Sequence, residues 1–522
     1  LLLALEELDP LGLDLAAVEA WLAGRAPGVE VRSAPPPCDR PERWLGRRLK
    51  GADRLILGLC SINGEKRELQ AQAMKAGLDP FAVEVVNLGA FCALPHPRSQ
   101  ATEKAKLLLE AALAKSRAYP GSQPENAKPL FSWDRQVSRR SLFTLPPVRY
   151  EAVPSIREDA CAAGRRCRVC ATACPRGALR LSEDGRMVLD KARCTGCGAC
   201  VSPCPRSAID FPGASLPEIE AQISMLLDAA PLALHPRAIV FLCEGGVAAF
   251  EGLAREGLSY PAGWLPVEVP CLGMVTPAWF LHCLNRGAAA VAALPCPPEK
   301  CRYGRREVIE GRVDYCRELL RAMGGEPDSV RLLDPADPAG LARDLASLPG
   351  LEAREGAPRS QAVLSLAVRG TAEAVLGVAE RYGLSLDGSL PHPHSPLGYI
   401  EITEGCTGCG ACVSACPAEA IVLERDGNGV SLSFDARRCI GCRECVPVCP
   451  EAVVQVEQAT DLRRLSQGTR TLYRGSEVRC EACGGPIAPR EMIEKLRALL
   501  GDHSAVSTIT RYCLSCRGTV FH

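Results

Sequence analysis

The sequence predicts several domains, in which α/β domains alternate with small Cys-rich α+β domains. The chain has 522 residues, enough for three or four domains of about 150 residues each. Apolar runs alternate with helical patterns over residues 1–118 and 214–335, as in α/β domains. Cysteine accounts for 29 residues, and its grouping as Cys-x-x-Cys is typical of metal sites rather than disulfides. The fold class is therefore multidomain α/β plus α+β.

Charge balance and hydropathy exclude several classes of function. Lys and Arg total 61, as do Asp and Glu, so the basic surface of a nucleic-acid-binding or membrane-surface protein is not indicated. No run of 18 apolar residues occurs, and no direct membrane span is expected. The opening LLLALEELDPLGLDL lacks a basic region, which predicts an amphipathic helix rather than a signal peptide. We therefore expect a cytoplasmic location.

Composition and periodicity divide the chain into seven parts. Two of them, residues 151–213 and 398–457, are rich in Cys-Pro and poor in apolar residues, so metal must organise them, and they form an internal repeat. The others are an α/β domain at 1–118, a linker at 119–150, a second α/β domain at 214–335, a connector at 336–397 with a helix near Thr371–Tyr382, and a segment with two Cys-x-x-Cys pairs at 458–522.

The repeat at 398–457 carries the spacing Cys-x2-Cys-x2-Cys-x3-Cys-Pro twice. Two residues between thiolates let one turn of backbone present three sulfurs to a cubane, while the fourth Cys, followed by Pro, ligates the other cluster. The segment resembles the bacterial dicluster ferredoxin domain throughout, which implies two [4Fe-4S] clusters. The predicted ligands are Cys406, Cys409, Cys412 and Cys449 for one cluster, and Cys439, Cys442, Cys445 and Cys416 for the other.

The repeat at 151–213 also resembles a dicluster ferredoxin domain, but one half is altered. Five residues, AAGRR, separate Cys161 from Cys167 where two are usual. They can loop out and leave Cys161 within reach of the cluster; otherwise that cluster becomes a three-iron cluster. An Asp-Gly pair between the halves of each repeat predicts a hairpin. The predicted [4Fe-4S] ligands are Cys161, Cys167, Cys170 and Cys204 for one cluster, and Cys194, Cys197, Cys200 and Cys174 for the other.

Four cysteines of the segment 214–335 follow predicted strands: one ends AIVFLC, one follows VEVP and two follow AVAALP. The carboxyl ends of parallel strands share one edge of a sheet, so these thiols converge there. The stretches PCLGMV and LPCPPEKCRYG resemble the delta subunit of methyl-viologen-reducing hydrogenase, which implies a [2Fe-2S] cluster; packed core cysteines are the alternative. Cys283 and Cys316 stand alone in apolar helices and are interpreted as buried thiols. The predicted [2Fe-2S] ligands are Cys243, Cys271, Cys296 and Cys301.

The amino-terminal segment repeats this pattern, because Cys60 ends LILGLC and Cys38 and Cys92 follow other apolar runs. With its GLDP helix end and ATEKAK helix, it resembles the amino-terminal domain of the A-type subunit of heterodisulfide reductase, which implies a fifth [4Fe-4S] cluster. The Cys-rich start of that family is absent before Leu1, so three of four ligands are visible, and a missing upstream segment explains this most simply. A docking domain without a cluster is the alternative. No nucleotide-binding fingerprint follows a strand, so no flavin is expected in this chain.

Two Cys-x-x-Cys knuckles close the sequence, on either side of the helical pattern PREMIEKLRALLG. Two such knuckles form a tetrahedral four-sulfur site that suits zinc or a single rubredoxin-type iron. The segment resembles a zinc ribbon, and zinc is favoured because the aromatic shell of a rubredoxin is thin here. The predicted metal ligands are Cys480, Cys483, Cys513 and Cys516.

These motifs predict an electron-transfer subunit without catalytic residues of its own. The cofactors supply the redox chemistry, and the protein supplies their spacing, burial and hydrogen bonds. The family resemblances imply flavin- or metal-containing partner subunits of an anaerobic heterodisulfide-reductase-like, hydrogenase or formate dehydrogenase complex. The alternatives are a redox-sensing or scaffold protein acting through its zinc ribbon, and a reductase with substrate at an open iron of the incomplete amino-terminal site.

Overall fold

The computed structural model describes residues 2–6, 12–25, 28–34, 52–59, 65–122, 126–130, 149–228, 234–347, 365–426, 429–501 and 503–520. Among these residues, no helix combines the length and the apolar character needed to cross a membrane. Two parallel α/β sheets and two Cys-rich repeats are present.

The amino-terminal domain is built on a parallel sheet in the order β2-β1-β3-β4. The predicted helix at the start of the chain is wrong for residues 2–6, which form a strand paired on both sides. An apolar run without polar alternation suits an inner strand of a parallel sheet, because helices cover both faces of such sheets. The elements are β1 Leu2–Glu6, α1 Leu15–Arg25, β2 Glu30–Ala34, β3 Leu55–Leu59, α2 Glu65–Lys75, β4 Val83–Asn87 and α3 Arg98–Ala118.

The first Cys-rich repeat has little regular structure beyond three short antiparallel strand pairs. One pair is the predicted hairpin, whose Gly185 has φ +77° as the residue after Asp184. Another pair, β5–β6, is formed by residues from both ends of the predicted linker. Residues 131–148 lie outside the described part. The elements are β5 Ala127–Leu130, β6 Arg149–Ala152, β7 Ser155–Ile156, α4 Val169–Ala173, β8 Leu179–Leu181, β9 Met187–Leu189 and β10 Ile209–Asp210.

The central domain contains a second parallel sheet, in the order β12-β11-β13-β14. The strands predicted ahead of Cys243, Cys271 and Cys296 are present as β11, β12 and β13, and the predicted connector helix is Thr371–Tyr382. The elements are α5 Leu216–Asp228, β11 Ala238–Leu242, α6 Glu244–Arg255, β12 Trp264–Glu268, α7 Pro277–Asn285, β13 Val291–Leu294, α8 Arg306–Ala322, β14 Val330–Leu332, α9 Pro338–Ala346 and α10 Thr371–Tyr382.

The second Cys-rich repeat and the carboxyl-terminal segment share a sheet. The strand pair β16–β19 encloses the repeat as β7–β10 encloses the first, and β21 extends the hairpin β17–β18 to three strands. The elements are β15 Ser389–Pro391, β16 Tyr399–Ile402, α11 Ala411–Ala415, β17 Ile421–Asp426, β18 Gly429–Asp435, β19 Val454–Glu457, β20 Ala459–Asp461, α12 Leu462–Gln467, β21 Thr469–Gly475, β22 Glu477–Arg479, β23 Pro486–Pro489, α13 Arg490–Leu500, α14 Ser504–Arg511 and α15 Leu514–Val520.

Buried contacts join the amino-terminal domain to the central domain. The Asn87 side-chain amide donates a hydrogen bond to Glu251 Oε1 at 2.9 Å, and the rings of Phe91 and Phe250 meet edge to face with centroids 5.5 Å apart. Edge-to-face pairs add specificity to the apolar burial. The two domains are thereby held in one orientation relative to each other.

Candidate iron–sulfur and metal sites

The Cys-Pro turns of the two repeats share one backbone geometry. The residue three positions after the Cys takes a left-handed conformation in all four turns, with φ +57° at Gly177, +48° at Ser207, +53° at Glu419 and +54° at Ala452. In three turns the next backbone N–H then points back at the Cys sulfur and donates a hydrogen bond to it. These bonds are Ala178 to Cys174 at 3.2 Å, Ala208 to Cys204 at 3.3 Å and Ala420 to Cys416 at 3.2 Å. Such N–H bonds to sulfur tune the reduction potential of a cluster.

Three small cavities in the repeats are each lined by four cysteines. Each set is one of the predicted groups, and Cys161 joins its group despite the widened gap after it. The cavities are lined by Cys161, Cys167, Cys170 and Cys204, by Cys416, Cys439, Cys442 and Cys445, and by Cys406, Cys409, Cys412 and Cys449.

The remaining predicted group is also brought together. Cys194 packs with Val153 and Ala178, and Cys174 lies against this contact. Burial raises the pKa of Cys200 well above its ordinary value, and the charges of Cys197, Cys170, Cys194 and Cys174 raise it further. Groups that interact in this way lie close together.

Burial of these thiols favours iron binding over their remaining as free cysteines. Burial is the largest cause that raises the pKa of Cys412 and of Cys442 to about 11 and that of Cys445 to about 12. Four thiolates at one buried cavity repel one another, whereas bound cationic iron deprotonates coordinating thiols and offsets their charge. The donor set therefore fits an iron–sulfur cluster in each cavity.

The four predicted thiols of the central domain line a single pocket at the carboxyl edge of its sheet. Cys243 directly follows β11 and Cys271 comes three residues after β12. The Sγ atoms of Cys243 and Cys296 are 3.0 Å apart, and the Gly273 N–H donates to Cys271 Sγ at 3.3 Å. The topology thus brings together cysteines that are up to 58 residues apart in the chain.

Neighbouring cysteine sites follow one another from the central domain to the second repeat. Cys271 of the central site packs against Cys197 of the first repeat. Burial is the main cause that raises the pKa of Cys167 to about 12, and the charge of Cys442 in the second repeat raises it further. In the same way, the charge of Cys412 adds to the effect of burial on the pKa of Cys445. Together with the effect of the Cys170 charge on Cys200, this packing contact and these charge interactions indicate five sites that follow one another in a row.

The carboxyl-terminal thiols also converge. The ligand atoms of Cys480, Cys483, Cys513 and Cys516 all lie within 4.8 Å of one another. Cys480 and Cys483 lie at the hairpin β22–β23, whereas Cys513 lies between α14 and α15 and Cys516 lies in the first turn of α15. Four sulfurs at this spacing fit a tetrahedral zinc or iron ion.

The carboxyl-terminal segment is docked on the last site of the row. Tyr473 donates a hydrogen bond to Glu491 at 2.6 Å, and an added Cβ on Gly408, within the motif Cys406 to Cys409, would lie 2.6 Å from the Tyr473 ring. Lys495 of α13 forms an ion pair with Glu451, which lies two residues after Cys449 in the sequence. The Cys409 side of this site is nevertheless exposed.

The predicted amino-terminal site is only partly visible. Cys38 and Cys60 lie outside the described residues. Cys92 is fully buried in a π-helical turn, Gly89–Ala93, that follows β4. Burial raises the pKa of Cys92 to about 12, with a smaller opposing effect from the Lys104 ammonium.

Comparisons with known proteins find similarity to iron–sulfur proteins over the two repeats and the central domain. Residues 160–208 and 405–453 each match the 4Fe-4S dicluster domain, and residues 238–346 match the family "Methyl-viologen-reducing hydrogenase, delta subunit". A stretch of 95 residues is 30% identical to the D-type iron-sulfur subunit of the F420-non-reducing hydrogenase vhu of Methanococcus voltae, covering 69% of that protein and 18% of this chain. The chain belongs to the hydrogenase delta-subunit family.

Two other relatives cover different amounts of the chain. The A-type subunit of the ferredoxin:CoB-CoM heterodisulfide reductase of Methanosarcina acetivorans is 28% identical over 226 residues, 42% of this chain. The B-type subunit of the ion-translocating oxidoreductase complex of the same organism is 48% identical over 45 residues, 9% of this chain. The chain spans only 26% and 17% of the lengths of these two relatives.

Within the hydrogenase delta-subunit domain, residues 238–346, one glycine makes room for the pocket. A Cβ on Gly245 would lie 2.8 Å from Cys296 Cα and 3.0 Å from its sulfur. Real Cβ atoms do not approach so closely, so the turn Cys243-Glu244-Gly245 accepts only glycine without moving a predicted ligand. Reasoning from the sequence missed this residue, although its place two residues after a predicted ligand is a usable signal.

Basic side chains surround the same pocket of the delta-subunit domain. Arg306 donates to the Cys296 carbonyl at 3.1 Å, and Arg305 donates to the Ala173 carbonyl in the first repeat at 3.2 Å. These guanidinium groups offset the negative charge of thiolates and of a reduced cluster. In the sequence, these arginines belong to the basic run RYGRR that directly follows Cys301. Cysteine spacing alone does not indicate that they lie at the pocket.

Proposed function

We propose that this chain is a multi-cluster iron–sulfur electron-transfer subunit that relays electrons between partner subunits of an oxidoreductase complex. The observation that carries the proposal is the unbroken row of five cysteine sites. Electron tunnelling weakens steeply with distance, so sites that lie next to one another make efficient transfer steps. The residues of the chain hold the sites at fixed separation and set their potentials through backbone N–H groups and nearby arginines.

The proposed cofactors are four [4Fe-4S] clusters in the two dicluster domains, one [2Fe-2S] cluster in the delta-subunit domain and zinc on the carboxyl-terminal thiols. A fifth [4Fe-4S] cluster on Cys38, Cys60 and Cys92 remains part of the proposal, with its other ligand supplied from elsewhere. Any flavin is placed on a partner subunit.

The proposed order of the row gives the chain two distinct ends. One end is the [2Fe-2S] pocket, with Cys296 and Cys301 partly accessible, and the other is the site with the exposed Cys409. The names of two relatives support partners in a heterodisulfide-reductase-like or hydrogenase complex. A formate dehydrogenase partner, an anaerobic setting and a cytoplasmic location are further parts of the proposal. We propose that each end receives one flavin- or metal-containing partner.

Iron and sulfide analysis of the anaerobically purified chain tests this function directly. Four cubanes and one [2Fe-2S] cluster correspond to about 18 Fe per chain, and about 22 Fe would add the amino-terminal cluster. Paramagnetic resonance during stepwise reduction then counts the clusters that accept electrons. Little iron, with zinc in the Cys-Pro motifs, would contradict the relay and leave a scaffold function.

The order of the row is tested with chains that lack one site. Replacing Cys167 and Cys170 by Ser removes a site in the middle, and the [2Fe-2S] site should then exchange electrons with the second dicluster domain at least tenfold more slowly. Replacing Cys409 and Cys412 removes the last site and should leave that exchange unchanged. Equal rates in both variants would show that the electrons take another route.

A further inference from the structure

One carboxylate of the second dicluster domain pairs with two arginines of the first. Glu419 of the second domain pairs with Arg206 of the first at 2.8 Å and with Arg165 of the first at 3.4 Å, and its other oxygen pairs with Arg438 at 3.3 Å. Partial burial raises the pKa of Glu419, whereas the hydrogen bond to Arg206 and the charges of Arg206, Arg165 and Arg438 lower it. The lowering effects are larger together, so the pKa of Glu419 lies below its ordinary value. The group is therefore a carboxylate at neutral pH.

The backbone at Glu419 is unusual for a side chain of this kind. Its φ of +53° lies in the left-handed region, which is unfavourable for most residues. The corresponding positions of the other three Cys-Pro turns hold Gly177, Ser207 and Ala452, which are small. A long acidic side chain at this one position indicates a task outside the turn itself.

The arginines that meet Glu419 are attached to the loops of the two facing sites. Arg165 lies between Cys161 and Cys167, and its guanidinium also donates to the Cys416 carbonyl at 3.2 Å. Arg206 lies two residues after Cys204, and Arg438 directly precedes Cys439. A movement at Glu419 is therefore passed to ligand loops on both sides of the domain boundary.

The widened gap of the first half-motif also has a use here. Residues 162–165 form a short 3₁₀ turn, and Arg166 closes it with φ +63°. The half-motifs with the usual two-residue gap have no room for such a turn. The extra residues carry Arg165 out to Glu419, while Cys161 still lines its cavity.

We propose that Glu419 is a positioning residue for electron transfer between the two dicluster domains, and that the five-residue gap after Cys161 supplies its partner Arg165. This inference rests on the proposed relay function. In the step concerned, one electron leaves the reduced cluster of one domain, which is oxidised, and reduces the oxidised cluster of the other. No bond is made or broken and no proton moves, so the distance between the sites and their relative potentials set the rate.

The main test replaces Glu419 in the full chain. Glu419→Ala introduces the residue that Ala452 already provides in the same backbone conformation, so the turn itself should tolerate it. We expect unchanged iron content, loss of the magnetic splitting between the two facing reduced clusters, and at least a tenfold slower exchange of electrons between the domains after rapid reduction by a one-electron reductant. Asp210→Ala is the matched control, because Asp210 pairs with Arg157 at 3.2 Å within one domain; it should change neither the splitting nor the rate.

Two more variants separate position from charge. Glu419→Gln keeps an acceptor for Arg206 but removes a negative charge among three arginines, so the potentials of the facing clusters should shift in the positive direction while part of the rate is kept. Arg165→Ala leaves Glu419 in place and should reproduce the slower exchange. If Glu419→Ala and Arg165→Ala keep full iron, splitting and rate, the inference is wrong. If the parent chain lacks iron in these cavities, the proposed function fails before any variant is compared.

Discussion

At the scale of single residues, the small side chains decide whether the cysteines can meet. The thiols of the delta-subunit pocket come from separate strands, and they converge only because Gly245 leaves space beside Cys296. The same helix also contains Gly252, whose added Cβ would have its nearest neighbour, Pro338, at 3.8 Å. A comparison of Gly245 with Gly252 therefore separates the effect of steric contact from the effect of glycine itself.

We predict that Gly245→Ala removes about two iron ions per chain and the [2Fe-2S] signal, while the [4Fe-4S] clusters remain. The added methyl group displaces Cys296 from the other three thiols. Gly252→Ala should keep all the iron and leave stability unchanged or raise it by up to about 1 kcal/mol, since alanine lowers the entropy of the unfolded chain. Iron analysis and thermal unfolding of both variants check this; loss of iron from Gly252→Ala would contradict it.

At the scale of elements, metal takes over the role that an apolar core has elsewhere. In the carboxyl-terminal segment, α13, α14 and α15 bury few side chains, among them Ile493 and Val506. A segment with so small a core needs a metal or another crosslink to stay folded. We propose that a metal ion on the thiols at 480–483 and 513–516 supplies that crosslink, while Tyr473 joins the segment to the last cysteine site of the row.

We predict that replacing Cys480 and Cys513 together by Ser removes about one zinc per chain and leaves the iron content unchanged. The helices α13 to α15 should then become sensitive to proteolysis, because zinc binding supplies their folding free energy. Metal analysis and limited proteolysis of the parent chain, before and after treatment with a chelator, give the comparison. Loss of about four iron ions from the variant would show that these thiols serve a cluster instead.

At the scale of the whole molecule, the orientation of the domains rests on polar groups buried between them. Lys104 of α3 is fully buried; its ammonium lies 3.1 Å from His96 Nε2 and donates to the Tyr260 hydroxyl of the central domain at 3.1 Å. Burial lowers the pKa of Lys104 to about 7 and that of His96 to about 2. The interface therefore holds an amine that loses its proton more easily than it does in the unfolded chain.

This lowered pKa predicts a dependence of stability on pH. Between the folded pKa of Lys104, about 7, and the unfolded value near 10.4, the unfolded chain binds more protons, so stability rises with pH by up to about 1.4 kcal/mol per unit. The parent chain should gain thermal stability between pH 7 and pH 9 relative to Lys104→Met, measured without oxygen. Lys106→Met controls for the loss of an amine on the same helix. An equal response of the parent and Lys104→Met would contradict this reading.

The sequence revealed the cysteine groups well and the opening of the chain poorly. The Cys-Pro spacing predicted which thiols line each cavity of the repeats, because ligands only two or three residues apart are constrained by local backbone. The run from Leu2 to Glu6 was misread as a helix, since a short apolar run does not distinguish an inner parallel strand from a buried helix. Backbone pairing with two neighbouring strands decided the matter, and that is not a local property.

The sequence by itself determined the class of chemistry, because cysteine spacing is a local feature and iron–sulfur and zinc ligation depend on it directly. Only the tertiary structure decided the order of the sites, the contact of Cys271 with Cys197 and the meeting of three arginines at Glu419. These residues come from segments as much as 254 positions apart, as Arg165 and Glu419 illustrate. Packing between domains brings them together, and no pattern within one segment encodes the distance between two surfaces that fold separately and then dock.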